Sequence, residues 1–110
     1  MHDVDLLPGT LDLIVLHVLA HGPKHGYDVA RFVREHSEDK FRVIDGALYA
    51  SLHRLEKRGH VTSHWGHSVT RKRAKYYQLT PAGRRAFRVE ATRWFRYIAG
   101  VAKIMTVRLP

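Results

Sequence analysis

The chain has 110 residues, no cysteine, 45% hydrophobic and 26% charged residues, and a formal net charge of +9. That length supports one domain, or one domain with an attached arm, and the composition argues against a disordered chain. Disulfide scaffolds and thiolate metal sites are excluded as well. The charge is unevenly spread: residues 1–40 carry four Lys/Arg against seven Asp/Glu, and residues 41–110 carry fifteen against three. A mildly acidic front and a strongly basic remainder suit a polyanion-binding surface on a folded scaffold. The longest apolar stretch, Leu13 to Ala20, is interrupted by His17 and is too short to cross a bilayer. No signal peptide is visible, so no membrane partner and a cytoplasmic location are expected.

Pro8-Gly9-Thr10 is a turn signal, with Thr10 placed to cap a helix running to about His21. This helix is apolar nearly all round (Leu11, Leu13, Ile14, Val15, Leu16, Val18, Leu19) and should be central. Gly22-Pro23 stops it, and a second helix follows from about Gly26 to His36. Phe41-Arg42-Val43 could form a short extended piece. Asp45 looks like the N-cap of a third helix that ends at Gly59. The period then changes to two. Val61, Ser63 and Trp65 share one face of a strand, and Tyr77 and Leu79 share one face of the next. The nine residues between them, Gly66 to Ala74, make a long basic hairpin tip. Thr80-Pro81 restarts a helix with Thr as cap and Pro at its first position.

In the third helix, Leu48, Leu52 and Leu55 define a buried stripe. The opposite face is expected to hold Gly46, Ala50, His53, Arg54 and Lys57, with Tyr49 at its margin. Small residues there permit close approach to a partner's backbone, and the basic ones offer donors to phosphates and base edges. Arg54 and His53 are the expected base readers, supported by Tyr49 and Lys57. A helix-turn-helix followed at once by a basic hairpin is the winged variant of a DNA-binding motif, with the third helix in the major groove. Arg71, Lys72, Arg73 and Lys75 cluster on the wing, and no acid lies between Glu56 and Glu90. The expected fold is mainly α with a small β-hairpin: a winged helix-turn-helix over residues 1–80 and a dimerisation helix over 81–110.

In that last helix, Phe87, Ala91, Trp94, Ile98, Val101 and Met105 are spaced 4, 3, 4, 3 and 4 apart, a heptad seam widened by Phe95 and Ala102. It should pack on the first helix and across a twofold, making a homodimer suited to a pseudo-palindromic operator. Nine histidines raise the question of a metal. His17, His21 and His25 lie on both sides of the Gly22-Pro23 helix stop, and His60, His64 and His67 straddle a turn, so no metal site and no cofactor are expected. No catalytic residues are expected either, for lack of a nucleophile motif or phosphate loop. The competing reading is a winged-helix RNA- or protein-interaction module without operator specificity.

The chain resembles the PadR family of bacterial transcriptional regulators over roughly residues 6–106. The resemblance is carried by Leu7-Pro8-Gly9-Thr10-Leu11, His25-Gly26-Tyr27, Gly46-Ala47-Leu48-Tyr49, Leu52-His53-Arg54-Leu55-Glu56 and Gly59. It continues through Trp65-Gly66, Arg73-Ala74-Lys75-Tyr76-Tyr77-Gln78-Leu79-Thr80 and Ala82-Gly83. Two positions depart from the family pattern: Ala47 stands where Thr is common, and Ala50 where Pro often follows the Tyr. The resemblance implies a DNA-binding repressor with Tyr27 among its contact residues. It also implies a slot at Trp94 for a small planar aromatic effector; a purely structural Trp sealing the dimer seam is the competing expectation.

Overall fold

Thr10 opens the first helix but does not cap it. The structure, a computed structural model, describes residues 6, 7, 9–67 and 69–110, so Pro8 of the turn signal lies outside the described residues. The N-cap of α1 (Thr10–Leu19) is Gly9 at φ 84, with no side-chain cap bond. That left-handed backbone is open to glycine at little cost and explains why the cap moves back one residue. The helix closes at Leu19, two residues short of the expected His21, because Gly22 at φ 128 turns the chain.

Next come β1 (Lys24–His25), α2 (Gly26–His36) and α3 (Asp45–Lys57), then β2 (Val61–His67), β3 (Arg73–Leu79) and α4 (Pro81–Met105). The short strand β1 was not expected. It pairs antiparallel with β3, Lys24 opposite Tyr77 and His25 opposite Tyr76, and gives a three-stranded sheet in the order β1-β3-β2. Conversely, Phe41–Val43 forms no strand, and Asp45 is the first residue of α3 rather than its cap, which is Ile44. The end of α3 matches expectation: Gly59, at φ 77, donates to the Glu56 carbonyl and His60 donates to the Leu55 carbonyl. These two bonds are the Schellman pair that satisfies carbonyls left open at a helix end.

Val15, Leu16, Val18 and Leu19 of α1 are buried against Val29, the leucine stripe Leu48, Leu52 and Leu55, and the sheet residues Val61, Tyr77 and Leu79. Each buried aliphatic side chain contributes about 2 kcal/mol. Val61, Ser63 and Trp65 share one face of β2, but burial falls away along it. Val61 is buried and Ser63 half-buried, but Trp65 lies beyond the edge of the body and is exposed.

The β3–α4 junction is tightly specified. The Thr80 hydroxyl donates to the Gly59 carbonyl at 2.6 Å and accepts from the Gly83 amide at 2.9 Å. Gly83 is buried, and a Cβ there would run into the His60 carbonyl. These contacts fix the direction in which α4 leaves the head. With 25 residues, α4 runs about 37 Å. The molecule accordingly measures 62 × 34 × 21 Å, and its radius of gyration of 15.9 Å exceeds the roughly 13 Å of a compact chain this long.

Candidate nucleic-acid interface

The outward face of α3 carries Gly46, Tyr49, Ala50, His53 and Lys57, all exposed. Tyr49 is held from the side, its hydroxyl 3.0 Å from the point where a Cβ on Gly26 would stand. Gly26 thus lets the Tyr49 ring close on the start of α2. Tyr27, exposed on the first turn of α2, has its backbone amide capped by the His25 ring at 3.0 Å. The His25 ring also meets Tyr76 edge-on, tying this end of α2 to the sheet. Tyr27, His53 and Lys57 are therefore exposed side chains on well-anchored backbone, and Tyr49 is an exposed ring braced against the start of α2.

Arg54 is held differently. At 100° per residue it sits on the flank of α3 turned toward α1, where its guanidinium donates to both Asp12 oxygens, at 2.7 and 3.2 Å. Ser51, fully buried, donates to the same carboxylate at 2.6 Å, and Arg58 adds a contact at 3.4 Å. Burial alone would raise the Asp12 carboxyl. The hydrogen bonds from Arg54 and Ser51 and the charges of Arg54 and Arg58 outweigh it, and the pKa lies below the usual aspartate value. The same bonds raise Arg54 further. Arg54, expected as a base reader, is thus engaged with Asp12 and fixes the roll of α3 against α1. Asp12 escaped the sequence reading. The available signal was a single acid inside an apolar helix, together with Ser51 inside the leucine stripe; both require polar partners when covered.

The wing is shorter at its tip and longer in its strands than expected. Pairing runs from Val61–Leu79 out to His67–Arg73, which puts Arg73 and Lys75 on β3 and leaves Arg71 and Lys72 in the exposed turn. Arg71 adopts φ 63. Arg73, Lys75, Tyr77 and Leu79 alternate onto one face of β3. Arg73 stacks over Trp65 at 4.4 Å, and the Lys75 ammonium lies 5.7 Å from the Tyr77 ring centre. The exposed Trp65 is thus a platform that holds a cation, a contact worth roughly 0.5–1 kcal/mol at such sites. Ser63 donates to Glu56 at 3.0 Å, joining the hairpin to α3. On the other face His64 stacks on Tyr76, whose hydroxyl donates to the His67 carbonyl.

Along α4, Phe87 packs on the core and Ala91 is half-buried. Trp94 is 37% exposed, Ile98 and Val101 40%, and Met105 76%. A groove of about 400 Å³ runs between Trp94, Tyr97 and Ile98 on one side and Leu7 and Leu13 on the other. The histidines fall into separate roles. His17 meets His21, Phe32 and Phe87 at ring distances of 5.2, 6.2 and 5.6 Å. Desolvation there, and after it the neighbouring His21, lower the His17 pKa. Among the described residues no group of three or more His, Asp or Glu side chains could hold a metal ion, and no helix is long and apolar enough to cross a membrane.

A helix-turn-helix whose outward face is flanked by a basic wing defines a winged-helix DNA-binding protein. The model of the transcriptional regulator PadR-like family matches residues 15–89, and the chain belongs to that family. It is 38% identical over 71 residues to a transcriptional regulator of Mycobacterium tuberculosis, a match covering 64% of this chain and 65% of the relative. Among solved structures it is similar to a transcriptional regulator from Clostridium thermocellum (28% identity, TM-score 0.79, covering 91% of this chain and 92% of that one). It is likewise similar to a PadR family regulator from Eggerthella lenta (30% identity, TM-score 0.76, covering 91% and 85%). The chain is accordingly a DNA-binding transcriptional regulator and not an enzyme.

Proposed function

We propose that this regulator is a homodimeric, effector-responsive repressor that binds a pseudo-palindromic operator from the cytoplasm. In this reading residues 1–80 form the reading head and 81–110 the dimerisation helix. Tyr49, His53 and Lys57 enter the major groove, Tyr27 meets a flanking phosphate, and Arg71, Lys72, Arg73 and Lys75 hold the backbone beside the wing. The observation that carries the dimer is the α4 seam, with Trp94, Ile98, Val101 and Met105 exposed in one row. Such a row on a helix that outruns its own body is what a twofold mate would cover. Trp94 faces the groove beside Leu7 and Leu13, a setting in which a planar aromatic molecule could stack and alter the angle between the heads.

The test pairs light scattering with DNA binding. Wild type should be a dimer and bind duplex DNA from its own promoter. If about eight phosphates are neutralised per dimer, its log K–log salt slope should be near −7. Val101→Asp should give monomers with operator affinity reduced at least tenfold. Trp94→Ala should leave a DNA-binding dimer blind to planar aromatics that quench wild-type Trp fluorescence. A monomeric wild type that binds its promoter no better than random DNA would overturn the reading. Dissociation by Trp94→Ala, with no quenching in wild type, would leave Trp94 purely structural.

A further inference from the structure

The reading head is not the only place in this chain where cations gather. Residues 81–110 carry seven Lys/Arg against the single acid Glu90, whereas the much longer stretch 1–80 carries twelve against nine. Residues 41–80, which hold α3 and the wing, carry eight against two, so α4 and the residues after it match the reading surface in net charge. At 100° per residue, Phe87, Ala91, Trp94, Ile98, Val101 and Met105 occupy one side of α4. Arg85, Arg96 and Lys103 occupy the opposite side, with Arg88 and Arg93 at its two margins. All five are exposed. Arg93 is paired with Glu90 at 3.3 Å, and the other four meet no acid among the described residues. Because Phe87 and Gly83 turn the apolar side toward the head, the cationic side faces away from it. A twofold mate on the seam would leave it equally open.

We infer that this stripe on α4 is a second polyanion-binding surface, and that its occupant is a second segment of duplex DNA. From Arg85 to Lys103 the stripe runs about 27 Å along a straight helix, the length of roughly eight base pairs at 3.4 Å per step. Arg88, Val89, Thr92, Arg93 and Arg96 line a shallow depression of about 450 Å³. Thr92, Ala99 and Gly100 are the small residues between the cations, so a phosphate backbone can approach closely. Three of the four unpaired cations are arginines, whose planar fork matches phosphate oxygens. An acidic protein surface fits less well, because protein interfaces centre on large buried apolar side chains. Within the stripe Val89 alone resembles one. A regulator seated on its operator is surrounded by flanking duplex at high local concentration. A cationic outer face would therefore hold a neighbouring segment and close a loop, by a mode indifferent to sequence.

The surface can be separated from the operator-reading head. A duplex from the protein's own promoter is fixed to beads and saturated with protein, and capture of a fluorescent random 30-base-pair duplex is then measured against salt. Wild type should capture the second duplex. R85Q/R88Q/R96Q/K103Q should retain operator binding within twofold and lose capture at least tenfold, since Gln keeps helix propensity while removing four cations. The wing variant R71A/K72A/R73A should instead weaken the first binding step, so failure of the head and failure of the stripe are distinguishable. Capture that persists in the quadruple variant would assign bridging to the heads and overturn the inference. So would absence of capture by wild type at low salt. Capture of labelled polyglutamate in preference to duplex would overturn the DNA assignment in favour of an acidic protein partner.

Discussion

Helices α1 and α4 are both rich in apolar residues, and the structure treats them oppositely. In α1, Val15, Leu16, Val18 and Leu19 are covered by α2, α3, the sheet and the start of α4 within one chain. In α4, cover ends after the first turns, and Trp94, Ile98 and Val101 remain more than a third exposed. Apolar periodicity shows that a face wants to be buried, but not which chain will bury it. Length decides that here: α1 fits inside the head, whereas α4 outruns it.

The point where the two helices are joined into one body is the most sensitive place to disturb this contrast. Gly83→Ala should destabilise the fold by about 3 kcal/mol, because the new methyl meets the His60 carbonyl, a backbone atom that cannot swing aside. Denaturant unfolding would measure it, and a loss below 1 kcal/mol would show that α4 can pivot freely on the head.

A smaller loss is expected at the polar edge of α1. Asp12→Ala should cost about 2 kcal/mol, since it strands the buried Ser51 hydroxyl and releases Arg54 and Arg58. The Asp12 carboxyl is depressed in the folded state, so its contribution is complete above the ordinary aspartate pKa. It is lost as pH falls through the lower folded value. Stability curves of wild type and Asp12→Asn should therefore converge as pH drops below about 4; parallel curves would count against the depressed carboxyl.

The smallest effect belongs to the other end of α1. His17 is held below the ordinary histidine value by desolvation and by His21, so the unfolded chain takes up its proton first as pH falls. Stability should slip by about a few tenths of a kcal/mol between roughly pH 7 and the folded pKa, after allowance for solvent screening. His17→Gln should flatten that slope, which thermal unfolding across pH 5 to 8 would reveal.

Most of the architecture was legible because it rests on local chemistry: the leucine stripe of α3, Gly59 at its end, the alternation around Tyr77 and Leu79, and the Thr80-Pro81 start. What escaped rests on contacts distant in sequence. The strand β1 is two residues long, too short to alternate, and exists because Tyr76 and Tyr77 present an open edge. Arg54 was assigned to the free face of α3 because nothing near it in sequence reveals Asp12, 42 residues earlier.

Arg71, at the tip of the wing, stands at φ 63, a backbone region that costs a side-chain-bearing residue about 1–2 kcal/mol and costs glycine almost nothing. Thermodynamic optimisation of the isolated protein would replace it with Gly or Asn. With arginine there, the turn keeps a strained conformation and carries an exposed cation between the two strands of the hairpin. Stabilised versions of this regulator, obtained by selecting for heat resistance with no demand for DNA binding, should lose that arginine early.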